Sequence, residues 1–558
     1  MIYVSYVVFR SRACEGDLQG TAGPFIQASS LPPASHLHVT SPLPTTSYDR
    51  VAYPSYTHQQ THPDRLAVIG RLFGLHPAPV TACRVLELGC GDASNLAPMA
   101  WGLPQSEFVG IDLAHEPIDR GRRMIRELGM ANIRLVQGSV TAIDGTWGKF
   151  DYIIAHGLYS WVPGEVREHI LRVCRECLAP QGIAFVSYNA LPGCHLRSMI
   201  REMMLFHVRG IASPDEQVTQ SKALLRFLAT AEGVASDEYH LWMKAELARV
   251  IEHDEGHLYH DELAEINEPF YFTQFMASAA SHGLHYLGEA DFPDMSDRIF
   301  APPVRETLDR LSSQRLLREQ YLDFLKCRRF RQTLLCHQET SLLAHPSWEA
   351  VTGFFVSSGA ERQPAATGEA LPPKTVFLSL RGTRFETDFA PGTAALTWLH
   401  ASWPAPAAFD DILRVVAPDE TGAPRNPGEA AREALAKFFL QLHAAGIVEF
   451  RTTPSAAVTS ISERPVASEL VRWQARQGAI VSSLFHIAVR VDDEIGRNLL
   501  GWLDGSNNRI QLLDHLWAFL KSKNALAGDQ GEAALREKLK LELEQNLLKL
   551  ARFGLLVA

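Results

Sequence analysis

The sequence predicts an α/β protein: a doubly wound, Rossmann-like parallel sheet first, then a helical middle domain and two C-terminal winged-helix-like α+β modules. Three observations predict it. A short apolar run carries an acid and ends in a glycine turn, Arg84-Val-Leu-Glu-Leu-Gly-Cys-Gly-Asp-Ala-Ser-Asn95, and a helix-forming run follows from Leu96. A second apolar run, Phe108-Val-Gly-Ile-Asp-Leu113, ends in an acid about twenty residues on, the spacing at which a carboxylate accepts ribose hydroxyls in dinucleotide folds. Strand and helix patterns then alternate, which calls for a parallel sheet with right-handed crossovers.

Residues 1–45, rich in Ser, Pro, Thr and Ala, read as a disordered extension. The segment Tyr48-Asp-Arg-Val-Ala-Tyr-Pro-Ser-Tyr-Thr-His-Gln-Gln-Thr-His-Pro-Asp64 crowds aromatic rings around a proline. It reads as a polar lead-in to the helix from Arg65, or as a lid whose rings cover a ligand. Gly89 and Gly91 let the backbone turn and approach a ligand closely. A helix from Pro117 to Leu128 leads to a third strand, Ile133 to Val140, ending in Gly138-Ser139-Val140. A fourth strand, Phe150 to Ala155, runs into His156-Gly-Leu-Tyr-Ser-Trp-Val-Pro163. Because ligands sit beyond the carboxyl ends of strands in such sheets, His156, Tyr159 and Trp161 are expected at the rim of the site, with packing alone as the alternative.

Glu165 to Leu178 is helical, and its Cys174-x-x-Cys177 has no second pair, so it predicts two half-buried thiols rather than zinc. A fifth strand, Gly182 to Tyr188, ends in Asn189-Ala-Leu-Pro-Gly-Cys-His195, and Leu196 to Val208 is helical. Residues 213–267 read as a helical insertion, with 268–292 returning to the sheet through the strand Gly283 to Ala290. In the insertion, His253 and His257 are four apart, as metal ligands on one helix face are, but Gly256 weakens that helix, and capping with surface polarity is preferred. No metal is expected. Residues 303–343 read as amphipathic helix, and a linker follows near 357–373. The last third holds a faint repeat: Trp398-Leu-His-Ala-Ser402 is echoed by Trp502-Leu-Asp-Gly-Ser506, and Phe439 to Phe450 by Leu547 to Val557. Each copy reads as strand, three helices, glycine turn, strand. Its helices are not basic, so protein docking is expected rather than DNA binding.

The bulk properties agree. At 558 residues the chain has room for several cores, and a net charge of −10 argues against broad nucleic-acid binding. No apolar run approaches the roughly 20 residues needed to span a bilayer. Eight scattered cysteines and the lack of a signal-peptide pattern point to a reducing cytoplasm.

Two signatures together carry a family resemblance. One is Tyr48-Asp-x-x-x-Tyr-Pro-Ser-Tyr56 with Gln60-Thr-His-Pro-Asp64 and Leu86-Glu-Leu-Gly-Cys-Gly-Asp-Ala-Ser-Asn-Leu96. The other is Ile154-Ala-His-Gly-Leu-Tyr-Ser-Trp-Val-Pro163 with Ser187-Tyr-Asn189 and His260-Asp-Glu-Leu-Ala-Glu-Ile-Asn-Glu-Pro-Phe270. The chain resembles bacterial class I S-adenosylmethionine-dependent methyltransferases that carry a methyltransferase regulatory domain, among them rickettsial lysine methyltransferases that modify an outer-membrane protein. The resemblance implies a methyltransferase core over 46–212, a regulatory domain over 213–300, a connector over 301–373, and winged-helix-like modules over 374–456 and 457–558. It implies S-adenosylmethionine as cofactor, bedded on Glu87, Gly89, Cys90, Gly91, Asn95, Asp112, Leu113, Gly138, Ser139, Val140 and His156. Ser139 stands where most relatives carry an acid. Methyl transfer to a lysine of a protein substrate is expected, through an aromatic channel of Tyr53, Tyr56, Tyr159 and Trp161, with His156 or Tyr159 taking the proton. No nucleic-acid partner and no membrane insertion are expected; homodimerisation is left open. The alternatives are a small-molecule methyltransferase and a non-catalytic S-adenosylmethionine-sensing interaction protein.

Overall fold

Apolar runs covered on both faces build a seven-stranded sheet. The computed structural model describes residues 4–6, 45–230, 238–364, 374–416, 428–454, 458–525 and 531–558. In chain order its elements are β1 (Val4–Tyr6), α1 (Pro63–Leu72), β2 (Arg84–Leu88), α2 (Leu96–Gly102), β3 (Glu107–Asp112), α3 (His115–Glu127), β4 (Ile133–Gln137), β5 (Phe150–Ala155), α4 (Gly164–Cys177) and β6 (Leu178–Asn189). Then come α5 (Cys194–Val208), α6 (Pro214–Ala229), α7 (Glu238–Ile251), a short turn α8 (Glu255–His257) continued by a π-helix (Leu258–Glu262), α9 (Phe272–Ser281), β7 (Leu284–Glu289), α10 (Pro302–Leu311), α11 (Arg315–Lys326) and β8 (Phe330–His337).

The sheet order is β4-β3-β2-β5-β6-β8-β7. β2 to β6 run parallel, and β8 lies antiparallel between β6 and β7. The chain leaves β2 for β3 and β4 on one side, then returns to place β5 on the other side of β2. That reversal opens a crevice at the carboxyl ends of β2 and β5, where this architecture binds ligands. Val85, Leu86 and Leu88 on β2 and Ile153 to Ala155 on β5 are fully buried, so the ends of these strands are held rigidly. Gly121 lets α3 pack close, since a Cβ there would stand 2.6 Å from Asp92 O.

The Rossmann-like core and its return at β7 match expectation. Residues 303–343 do not remain helical: the second helix stops at Cys327, which is left-handed at φ 46°, and Arg331 to Cys336 enter the sheet as a fully buried central strand. Val4–Tyr6, expected to be disordered, pair antiparallel with Ala488–Val491. Residues 1–3 and 7–44 of the N-terminal extension lie outside the described residues, as do 365–373 of the expected linker.

The helical insertion has its own core, in which Ile200, Met204, Val218, Leu225, Leu247 and Leu258 pack together. In the last third, the strand Phe355–Ser357, which falls in the expected connector, is the centre of a sheet with Ala407–Ala408 and Glu449–Arg451. Three helices accompany it, Ala390–Ser402, Phe409–Val416 and Glu429–Ala444. The final module follows the same plan: strands Ile480–Ser482 and Ala488–Val491, helices Glu494–Trp502, Arg509–Ser522 and Glu532–Arg552, and a last bridge from Leu556 back to Ala467. No helix among the described residues is long and apolar enough to cross a membrane.

Candidate active site

The turn after β2 bends through left-handed residues, Gly89 at φ 73° and Gly91 at φ 53°. Ala93 is also left-handed, at φ 62°, where a glycine would carry no strain. The nearest atom to a Cβ on Gly91 would be Ser55 Oγ at 3.8 Å, so this face of the turn is open except where the 45–62 segment covers it. Cys90 does not face the crevice: its Sγ packs under the turn, where a Cβ on Gly110 would stand 2.7 Å from it.

Asp112, at the tip of β3, is half-buried. Its Oδ2 accepts from Gly91 N at 2.9 Å and its Oδ1 from Ala114 N at 2.9 Å. These bonds aim the carboxylate and leave each oxygen a lone pair. Burial raises its pKa, and the two amide bonds oppose that. Glu87 sits deeper. Its Oε1 accepts from Asn95 Nδ2 at 2.6 Å, while its Oε2 is buried with no partner among the described residues. Burial pushes Glu87 up to about 8. A buried carboxyl oxygen left in this state is costly unless a ligand donates to it. Leu113 and Gly138 continue the rim, and Gly138 N donates to Asp112 O at 2.8 Å. The Ser139 hydroxyl is engaged locally with Thr141 Oγ1 at 2.7 Å, capping the 3-10 turn that begins at Val140.

The 45–62 segment lies against the turn after β2 and the start of α3. Asp49 accepts from Glu116 N at the start of α3. Tyr48 stacks on His260 at 4.1 Å. Burial raises its phenol, with Asp261 and Asp112 adding to the shift. His58 N donates to Asn95 Oδ1 at 2.8 Å, and the His58 ring meets His156 at 3.8 Å. His156, just past β5, bonds Ser187 Oγ through Nδ1 at 2.9 Å. Burial lowers His156 to about 4 and His58 well below the imidazole range, so both are neutral near pH 7. Buried Thr57 Oγ1, Gln60 Nε2 and both polar atoms of the Gln59 side chain have no partner among the described residues.

The histidine motif of the insertion holds this segment in place. His260 Nε2 bonds Val51 O at 2.8 Å, Tyr53 OH reaches Asp261 at 3.4 Å, and Tyr56 OH meets His257 Nε2 at 3.3 Å. His257 Nδ1 is held by Asp254 Oδ2 at 2.5 Å. Gly256 is there for close approach: a Cβ would stand 2.6 Å from Ala52 O. His253 faces Glu262 instead, at 3.7 Å. No group of three or more metal-ligating side chains occurs among the described residues.

Tyr56 thus reaches His156 through His58, and Tyr53 lies against His257 and His260, whereas Tyr159 joins neither. It is 2% exposed and packs edge-on against Phe270 and Phe275 in the core on the other face of the sheet. Trp161 follows it in the same 3-10 turn, with a buried Nε1 that has no partner among the described residues. Tyr48, His58 and Asp254 join this cluster although sequence reasoning did not single them out, and His257, weighed there as a metal ligand or a cap, joins it as the partner of Tyr56.

Three family models match: a methyltransferase domain over 85–182, a predicted methyltransferase regulatory domain over 254–337, and the PKMT C-terminal winged helix domain over 463–555. Uncharacterized protein RP789 of Rickettsia prowazekii is 40% identical over 296 residues, 53% of this chain and 53% of that protein. The chain therefore spans about half the length of that relative. RP028 of the same organism is 40% identical over 233 residues, 42% of this chain and 93% of that one. The structure of PKMT2 from Rickettsia typhi, also solved in complex with AdoHcy, superposes with a TM-score of 0.80 at 28% identity, covering 91% of this chain and 100% of that one. The chain belongs to the class I S-adenosylmethionine-dependent methyltransferases.

The methyltransferase fits its cofactor on structural grounds. S-adenosylmethionine carries a ribose diol, an ammonium and a sulfonium. The bed offers an aimed carboxylate at Asp112, an unpartnered buried carboxyl oxygen at Glu87, and an open glycine turn between them.

Proposed function

We propose that this methyltransferase modifies lysine side chains of a protein substrate. The observation that carries the proposal is the lid: rings of Tyr48, Tyr53, Tyr56 and His58 gather above the strand tips and are tied to the regulatory segment through His257, His260 and Asp261. The likeness to PKMT2 of Rickettsia typhi and the PKMT winged-helix match support the reading.

S-adenosylmethionine supplies an electrophilic methyl carbon on a sulfonium. In this assignment Asp112 takes the ribose hydroxyls and Glu87 Oε2 the ammonium, while the Gly89 to Gly91 turn accommodates the ligand backbone. The remaining chemistry is what the chain must do to the acceptor. A lysine in water has a pKa near 10.4 and holds its proton, so it cannot act as a nucleophile. Enclosure by the lid disfavours the charged form. Tyr56 gives the proton a route. Its hydroxyl takes the amine proton as its own passes to His257 Nε2, and Asp254 balances the charge through Nδ1. Asp254 is half-exposed, so the proton reaches solvent there. Neutral His58 and His156 add no positive charge to repel an ammonium on entry. Tyrosine faces favour cationic groups by about 0.5–2 kcal/mol each.

The test is incubation with methyl-labelled S-adenosylmethionine and separated soluble, inner-membrane and outer-membrane fractions of the source cells. Label on lysine residues of a protein is expected, and the labelled fraction identifies the acceptor. Label confined to small molecules, or none despite cofactor binding, contradicts the proposal. In the same assay Tyr56→Phe is expected to slow transfer about 10- to 100-fold at unchanged AdoHcy affinity; an unchanged rate removes Tyr56 from the proton route.

A further inference from the structure

We propose that the C-terminal winged-helix module is a working part of the cofactor bed, with His486 as a positioning residue that locks Asn95 and, through it, Glu87. His486 lies in the turn between the module's strands Ile480–Ser482 and Ala488–Val491. The turn closes on itself, with Ser483 N donating to Ile487 O at 2.8 Å and His486 N to Ser483 O at 3.0 Å. It is seated on the module's own C-terminus, because Phe485 lies so close to Gly554 that a Cβ there would be 2.3 Å from the ring. His486 is left-handed at φ 59°. Glycine would take that conformation without strain, so an imidazole held there is there for its ring.

That ring is 3% exposed, and its Nε2 stands 2.9 Å from Asn95 Oδ1, 391 residues away in the chain. Asn95 Oδ1 also accepts from His58 N at 2.8 Å. A backbone N–H can only donate, so the amide oxygen must face His58 and His486, and the amide nitrogen must face Glu87 Oε1 at 2.6 Å. The same logic puts the proton of His486 on Nε2. Asn95 thus joins three parts of the protein: the lid, the strand-borne acid and the winged helix. Losing His486 would leave the amide held on its oxygen side by the lid alone.

A second contact of this kind sits one turn away. Asp64, at the start of α1, accepts from Thr452 N at 2.8 Å and pairs with Arg451 at 3.6 Å, so the preceding winged-helix-like module docks on the same corner. The His62 ring lies 5.3 Å from His486. The Thr61-His-Pro-Asp64 motif is therefore the junction at which both C-terminal modules meet the cofactor bed. A partner that displaces the 483–487 turn changes cofactor affinity, and cofactor binding in turn tightens that turn, because coupling between two sites is reciprocal.

The proposal rests on the assignment of S-adenosylmethionine to the bed between Glu87 and Asp112. It is tested on the full chain by titrating AdoHcy calorimetrically into wild type, His486→Leu and His486→Gln. Hydrogen exchange of the 483–491 amides is followed with and without AdoHcy. Wild-type binding with about tenfold weaker affinity in His486→Leu, recovered to within about threefold in His486→Gln, is expected, since glutamine restores a donor at the Nε2 position. AdoHcy is expected to slow exchange across 483–491. Equal affinity in His486→Leu and wild type, or exchange at 483–491 indifferent to AdoHcy, overturns the proposal. Should His486→Leu fail to fold, the exchange result on wild type decides. Wild type that does not bind AdoHcy overturns the cofactor-bed assignment as well.

Discussion

Arg331→Met is expected to yield protein that is insoluble or melts more than about 10 °C below wild type. The guanidinium is fully buried in β8. It bonds Glu289 Oε1 at 2.5 Å, both oxygens of Asp323 at 2.9 Å, and Glu319 Oε2 at 3.0 Å, with its face 3.9 Å above the Phe272 ring. Glu289 then braces the strand by accepting from Gln332 N at 3.1 Å. Removing one partner from a buried ion cluster costs about 3–5 kcal/mol because the other charges are left unpaired. Here three carboxylates lose their common partner, and Arg328 remains to pair only one of them strongly, Asp323 at 2.6 Å. Arg331→Lys keeps the charge but not the planar fork, and falls between the two. Thermal unfolding followed by circular dichroism reads the effect; a variant within about 2 °C of wild type contradicts it.

Glu87→Gln is expected to stabilise the ligand-free protein at pH 8 while weakening cofactor binding. Burial raises the Glu87 pKa from 4.5 to about 8. The unfolded chain sheds this proton near pH 4.5 and the folded chain keeps it to about 8, so the group lowers folding stability progressively as pH rises through that window. The accumulated penalty is on the order of a few kcal/mol. A neutral amide of the same shape escapes it, so the variant should gain over wild type at pH 8 and not at pH 5. AdoHcy binding carries the opposite sign. An ammonium seated on Oε2 requires the carboxylate, so wild-type affinity should climb between pH 6 and 8, whereas the variant binds weakly and without that slope. Equal melting temperatures at pH 8, together with wild-type affinity, contradict the role given to Glu87.

The cofactor side of the site was legible because its signals are local. The buried run Val85 to Leu88 and the left-handed glycines lie within a few residues of one another, and Asp112 ends the very next strand. What stayed hidden depended on distant partners. Arg331 fell inside residues 303–343, read as amphipathic helix, and nothing beside it marked a buried strand, because the acids that neutralise it stand at 289, 319 and 323. His257 read as a cap or surface group because its partner, Tyr56, is 201 residues upstream, and nothing near His260 pointed to Val51, 209 residues upstream. Tyr159 was placed at the rim because its loop leaves the carboxyl edge of β5; one 3-10 turn later its ring has swung under the sheet edge into the core. His486 lay beyond inference, since nothing near residue 486 indicates a contact with residue 95.

The most direct measurement is calorimetric titration of AdoHcy into wild type and Asp112→Ala. Asp112 is aimed by two backbone amides at the tip of β3, and a circular dichroism spectrum matching wild type checks that Asp112→Ala keeps the fold. Loss of a charged hydrogen-bonding partner costs about 1.5–3 kcal/mol. Wild type is therefore expected to bind one equivalent and Asp112→Ala to bind about 10- to 150-fold more weakly. Identical affinities in the two proteins would contradict a cofactor lying across the tips of β2 and β3.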